Sequence, residues 1–488
     1  MEKQEKIPNI IAIIGAIVLL VLAVVGLSYA FFSAFIKNGE TDPSIEGTGA
    51  NLSLVYTDGK SVITSSNIMP GWSATKTFTV TNNGEADTYY KLNISNITNE
   101  FVDGGLTFSI ASADGGTSVA EQAVGTTTRT ISPSITIAEG ATHTYTVTAK
   151  YINLNTDQTP DLGKSFSYTI GIEASQKPTF KDIILANNEV KTPITTPGAA
   201  VSTSSEALLA SAEDDYGTSY YFRGAVTNNY VEFANKCWRI VRIGGDNTVK
   251  LILHNDNISN ASNPCSSANN STTAAFVHYD GNIYKSEFNS NYNDNAYVGF
   301  MYGTPGSTTY EATHANTNKS TILTNLETWY NNNLKTYESV IDNNVFCNDK
   351  SLSSGSGYSA NATDYAARER LYTSKIPSLK CNGELSKITS KIGLITADEL
   401  AFAGYAVRGY ITTSYLKENA TGYSWWSLSP AGFYNKSLSY VFRVRSDNDA
   451  IDICNVNVDS SVRLVISLVS SITISGVSGT SEDPYVVK

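Results

Sequence analysis

Apolar and polar positions alternate with a period of two through residues 45–175. The runs include Asn51 to Tyr56, Thr75 to Thr81, Tyr89 to Ile94, Thr142 to Tyr151 and Ser165 to Ile172. Gly, Asn and Asp clusters such as Asn82-Asn83-Gly84 separate them. Short alternating strands between turn signals predict an antiparallel β-sandwich, with one apolar face per sheet turned to a common core. A Thr-rich stalk would lack that regularity. The pattern breaks at 176–212, where Pro178, Pro193 and Pro197 punctuate Ser- and Thr-rich sequence, and this segment is expected to be an extended linker with one short helical stretch near Phe180 to Ala186.

A second domain is expected over 213–488. Tyr220 to Gly224, Tyr230 to Phe233 with Cys237 to Ile243, and Val249 to Leu253 after the Gly244-Gly245-Asp246-Asn247 turn predict a meander. Residues 254–318 are Asn-, Ser- and Tyr-rich and predict long irregular loops. Ile322, Leu326, Trp329, Tyr330 and Leu334 recur at helical spacing, predicting a helix over about Thr321 to Lys335 with its tryptophan in the core. Thr396-Ala397-Asp398-Glu399 has the form of a capping box and starts a second helix, which Gly404 ends. Strands follow at Trp425-Trp426, Tyr440 to Arg445, Ala450 to Val458 and Val462 to Leu468.

Ahead of both domains, Ile10 to Ile36 carries no charge for 27 residues. About 20 apolar helical residues span a bilayer, so 1–37 is expected to be a cytoplasmic tip and a membrane helix. Lys3 and Lys6 precede it and Glu40, Asp42 and Glu46 follow. The positive-inside rule then keeps the N-terminus in the cytoplasm and exports the rest. Ser28-Tyr29-Ala30 also sets small residues at −3 and −1 of a signal-peptidase site after Ala30, so the segment is either a single-pass anchor or a cleaved signal peptide.

Composition narrows the function classes. Only 16% of residues are charged, 29 are Tyr, and the net charge is −11. An acidic chain without a basic block argues against nucleic-acid binding. The 5 cysteines form no CxxC pair, and all follow the apolar segment, where an oxidising compartment favours disulfides. Cys347 and Cys381 flank one irregular loop and are the preferred bridge; Cys237 and Cys454 sit in strand-like runs as small core residues, and Cys265 is expected to be the exposed or odd thiol. The 4 histidines are scattered and His143 stands alone in the first domain, as a surface or strand residue. No Gly-x-Ser-x-Gly elbow, His-Glu-x-x-His pair or phosphate-cradling glycine loop occurs, so no catalytic residues, metal or cofactor are expected.

Two resemblances add to this reading. The leader ending Ser28-Tyr29-Ala30-Phe31-Phe32-Ser33, then Asn51 to Leu54, Met69-Pro70-Gly71 and Thr77 to Gly84, resembles the camelysin/TasA group of Gram-positive secreted sandwiches. That implies a cut leader and self-assembly as a matrix-fibre subunit; the group's peptidase activity is not carried over. The segments Tyr220 to Gly224, Asn229 to Phe233, Trp238 to Val241, Phe346 to Ser351, Ile392 to Glu399, Trp425-Trp426-Ser427-Leu428-Ser429-Pro430 and Val462 to Ile466 are similar to DUF6273, an uncharacterised domain of exported Firmicutes proteins. Leu464 stands where that domain usually has proline. The resemblance implies a C-type-lectin-like, formylglycine-generating-enzyme-like α+β domain. Neither the Glu-Pro-Asn loop nor the Trp-Asn-Asp strand of a calcium-dependent sugar site is present. Asp447, Asn448 and Asp449, or Glu213, Asp214 and Asp215, are more simply solvated turns. A copper thiolate pair at Cys237 and Cys454 has no supporting residues.

The fold expected is therefore mainly β: a transmembrane helix, a sandwich and a C-type-lectin-like domain. The candidate binding surface is Tyr423, Trp425, Trp426 and Tyr434 with the loop Ala431 to Ser439, because alternation turns one of two adjacent tryptophans outward unless both faces of the strand are covered. The function expected is non-enzymatic adhesion to a glycan or extracellular protein at the bacterial surface; a structural assembly subunit and an exported enzyme are the alternatives.

Overall fold

A computed structural model describes residues 54–59, 68–84, 87–175, 178–409, 413–472, 474–475 and 478–487. The expected membrane segment lies outside them. Among the described residues no helix is long and apolar enough to cross a membrane. The chain divides into two compact units, at Pro178 and Thr179.

Among its described residues the first unit has eight strands: β1 (Leu54–Gly59), β2 (Trp72–Asn82), β3 (Thr88–Asn99), β4 (Leu106–Ser112), β5 (Val119–Ala123), β6 (Arg129–Ile137), β7 (Thr142–Tyr151) and β8 (Phe166–Ser175). They form a five-stranded sheet, β1-β2-β7-β4-β5, and a three-stranded sheet, β6-β3-β8. All pairings are antiparallel. The alternation in sequence becomes alternation in burial. Tyr56, Phe78, Val80 and Tyr145 from one sheet and Tyr90, Leu92, Ile94 and Ile172 from the other share one core. Tyr56, Phe78 and Tyr145 stack at 5.2 and 4.9 Å, and each such ring contributes about 2–3 kcal/mol by burial. His143 lies on β7 as a strand residue, but buried: its Nδ1 meets Tyr90 Oη at 2.8 Å, and that hydroxyl meets Tyr145 Oη at 2.6 Å.

The second unit begins before the expected boundary. Residues 179–212, marked by composition as a linker, are part of it. Helix α1 (Phe180–Asn187) has a Thr179/Asp182 capping box and buries Phe180 and Ile184. Phe180 packs edge-on against Tyr485 at 5.2 Å. Strand β9 (Ala207–Asp214) pairs with β10 (Gly217–Gly224) along its whole length. Glu206 and Arg223, both with side chains 0% exposed, form an ion pair at 3.1 Å. Polar composition hid this packing, because the segment's buried contacts are made through one carboxylate and a few apolar residues rather than a periodic stripe.

Strands β11 (Tyr230–Phe233), β12 (Lys236–Ile243) and β13 (Val249–Asn255) give the expected meander. The C-terminal strand Tyr485–Val487 lies parallel to β11. Helix α2 (Thr321–Asn333) starts at a Ser320 cap and buries Ile322, Leu326, Trp329 and Tyr330. Helix α3 (Ala397–Phe402) shows both bonds of the capping box between Thr396 and Glu399. Strands β14 (Trp425–Tyr434), β15 (Leu438–Val444) and β16 (Ile451–Asn455) belong to a second sheet, and β17 (Val465–Leu468) joins the first beside β13.

Cys347–Cys381 is a disulfide, as expected from the loop. Cys454 is a small core residue in a strand, as expected, but Cys237 and Cys265 differ from expectation. Cys237 bonds Cys265, and Cys454 is the buried free thiol. Cys265 is 0% exposed, because the loop after β13 folds back onto Tyr230 and Cys237. The bridge also precludes the Cys237–Cys454 pair.

Candidate functional site

The aromatic surface expected around β14 is not assembled. Alternation does place Trp425 and Trp426 on opposite faces of the strand, but both faces are covered and both side chains are 0% exposed. Trp425 packs against Tyr405 at 6.3 Å and under the Arg463 guanidinium at 5.3 Å. Trp426 packs on Phe288 at 5.9 Å and donates Nε1–H to the Ser286 carbonyl at 2.7 Å. Tyr423 and Tyr434 remain half-buried but flank opposite ends of a ten-residue strand. Tyr423 meets Phe276 at 6.0 Å and Lys285 Nζ at 5.4 Å. Tyr434 donates to Asp364 at 2.6 Å and joins a cation–π ladder in which Arg368 approaches Tyr434 and Tyr372, and Arg408 stacks on Tyr372 at 3.9 Å. The loop expected at Ala431 to Ser439 is mostly strand, turning only at Asn435 to Ser437.

A different place gathers functional groups. A cleft of about 40 Å³ is lined by Arg242, Lys250, Ser467, Glu399, Arg370 and Asp398, with the Cys347–Cys381 bridge in its wall. A water needs about 10–15 Å³ of such volume, so only a small group enters it. Its floor follows from strand register. Arg242 on β12 faces Lys250 on β13, and Lys250 faces Ser467 on β17. Directly opposed residues share a face, so three polar side chains stand in one row.

Ion pairs lock this row. Glu399 Oε1 accepts from Arg242 Nε at 2.9 Å and from Lys250 Nζ at 2.6 Å, while its Oε2 accepts from the Thr396 amide at 3.0 Å. Asp214 Oδ2 accepts from Arg242 Nη1 at 2.8 Å and from the Gly245 amide at 3.0 Å. Arg370 holds Asp398 in a two-point fork at 2.8 and 3.0 Å and reaches Asp349 at 2.6 Å. Burial alone would raise the Glu399 carboxyl, but Lys250 and Arg242 outweigh it and hold it down to about 2. Burial lowers the Lys250 ammonium, with Glu399 opposing. The Ser467 hydroxyl, 1% exposed, has no partner among the described residues. On the rim stands Tyr216, 54% exposed, its amide held by Asp214 Oδ1 at 2.8 Å.

Of these residues, the sequence marked Asp214 as a turn, Thr396 and Glu399 as a cap, and Cys347 with Cys381 as a bridge, but none of them as part of a site. Arg242 among the apolar residues of β12 was the available signal, but its partner Glu399 lies far along the chain. Among the described residues no group of three or more His, Cys, Asp or Glu side chains is arranged to hold a metal. Asp447 instead pairs with Arg445. No protein-family model matches the chain, and a comparison with curated proteins finds no match.

Proposed function

We propose that this chain is an exported binding protein of the bacterial surface. In this reading the sandwich is a spacer, and a C-type-lectin-like C-terminal unit recognises a glycan or an extracellular protein. The observation that carries the reading is the cleft beside Tyr216. Its charged groups are held in place by ion pairs before any ligand arrives, and an exposed aromatic ring stands at its mouth. An aromatic face with fixed polar groups beside it suits a sugar ring, which stacks on one and hydrogen-bonds to the other. At about 40 Å³ the cleft admits one substituent of the ligand rather than a whole ring, so the ligand lies across the mouth. The two disulfides support export.

Glycan and mucin arrays probed with the full chain test the proposal. Binding is expected to fall about tenfold in Tyr216→Ala with thermal stability unchanged, since an aromatic contact of this kind is worth about 1–1.5 kcal/mol. No glycan or mucin hit with the folded protein, or hits that Tyr216→Ala leaves intact, would refute glycan recognition at this cleft.

A further inference from the structure

Four hydrogen-bond donors meet in the buried interior of the C-terminal unit without an acceptor. Arg463 is 0% exposed. Its Nε donates to the Leu253 carbonyl at 2.8 Å and its Nη1 to the Leu416 carbonyl at 2.5 Å. Its Nη2, the hydroxyls of Tyr405 and Tyr415, and Nε1 of Trp425 have no partner among the described residues. Tyr405 and Tyr415 are 2% and 3% exposed. These groups are neighbours. The guanidinium carbon of Arg463 lies 5.3 Å from the Trp425 ring centre, and Tyr405 meets the same ring edge-on at 6.3 Å. The charge of Arg463 acts on both tyrosines, and Tyr415 acts on Tyr405. Buried polar groups almost always have partners, so four orphans in one cluster point to an occupant.

The charge balance says which kind. Arg239, also 0% exposed, sits beside Tyr415, with its guanidinium carbon 5.1 Å from the ring centre. It pairs with Glu418 at 2.9 Å, while the other carboxylates that act on the two tyrosines are taken elsewhere, Asp449 by Lys417 at 3.0 Å and Glu399 by Arg242 and Lys250. The Glu418 carboxylate is further engaged by Tyr230 at 2.8 Å and Asn270 at 2.8 Å. Arg463 forms no ion pair among the described residues. His254 adds no further charge: burial holds its imidazole neutral, and its Nε2 accepts from Asn419 at 3.2 Å. Two buried guanidiniums therefore share one carboxylate. Water would satisfy the donors but leave the charge, and a buried charge without a counter-charge is strongly disfavoured. A small anion answers both needs.

We propose that the C-terminal unit binds a chloride ion in its core, held by Arg463 Nη2 and the hydroxyls of Tyr405 and Tyr415, with the Trp425 indole N–H beside it. The ion is the counter-charge of Arg463. It ties β17 and the segment before it to the turn at Ser414 to Glu418, through the carbonyl contact to Leu416 that Arg463 already makes.

The test is thermal unfolding of the full chain in detergent, with chloride exchanged for gluconate at constant ionic strength and pH. The transition of the C-terminal unit is expected to rise by about 2 °C for each tenfold increase in chloride above its Kd, with bromide replacing chloride and gluconate not. The double variant Tyr405→Phe, Tyr415→Phe is expected to lose this dependence. Equal midpoints in chloride and gluconate, or the same chloride dependence in the double variant, overturn the proposal. Should that variant fail to fold, wild-type crystals grown in bromide decide. An anomalous peak within hydrogen-bonding reach of Arg463 Nη2 supports the site, and its absence overturns it.

Discussion

Glu399 does two jobs that its sequence context reveals only in part. The Thr396-Ala397-Asp398-Glu399 string announces a capping box, and the box is there. The second job is to neutralise Arg242 and Lys250, about 150 residues away in sequence, and only strand register brings those together. The Glu399 carboxyl is held at about 2, against an ordinary 4.5. A depressed carboxyl contributes stability that is present in full above the unfolded value and is lost as pH falls toward the folded one. Glu399 is therefore expected to contribute roughly 3 kcal/mol at neutral pH, lost between about pH 4.5 and 2. Glu399→Gln should lower the stability of the C-terminal unit by about 3 kcal/mol in urea at pH 7, since it leaves two buried cations short of a partner. It should also flatten the acid limb over that window. An unchanged acid limb in the variant would show that Arg242 and Lys250 do not hold the carboxylate. The same register explains why the cleft was illegible in the sequence. Arg242, Lys250 and Ser467 lie one in each of three separate, mainly apolar strands, and nothing local marks them as neighbours. Trp425 and Trp426 failed as predictors for the converse reason. A conspicuous local pair on a central strand is buried on both sides.

At the scale of elements, the strands and helices with a strong period were readable. Sandwich strands β1, β2, β3, β7 and β8, with α2 and α3, overlap the stretches that alternation, helical spacing and capping marked, whereas β4, β5 and β6 fall outside the named runs. The segment 179–206 was not, because its attachment is built from non-periodic contacts. Phe180 docks on Tyr485, and Glu206 accepts from the Ile194 and Thr195 amides as well as pairing with Arg223. Arg223 in turn donates to the carbonyls of Ala401 and Phe402 at the end of α3. Gly224 follows it at a positive φ of 81°, where a side chain would run into the Glu206 carbonyl. A fragment cut at residue 213, the boundary composition suggests, loses α1, nearly all of β9 and the partner of a fully buried arginine. Removing one member of a buried pair costs about 3–5 kcal/mol. A fragment of residues 179–488 is expected to unfold cooperatively and resist protease. The 213–488 fragment should be aggregated or cleaved within minutes under the same conditions. Equal resistance of the two would show that 179–212 is dispensable.

At the scale of the whole molecule, the two units are stabilised by different means, and that difference is measurable. The sandwich has one core and no cysteine in its sequence. The C-terminal unit carries both disulfides, closing segments of 28 and 34 residues. On the chain-entropy account, each adds roughly 3–4 kcal/mol by restricting the unfolded chain. A domain of ordinary stability has about 5–15 kcal/mol in all, so losing both removes a large share of it. Calorimetry of the full chain is therefore expected to show two transitions. Reduction should lower the C-terminal one sharply, and leave the other at its original temperature. A protein depending on its bridges to this extent would fold poorly where thiols stay reduced, which agrees with the proposed export. If reduction leaves both transitions in place, the bridges are incidental to folding, and the argument for an oxidising compartment loses its physical basis.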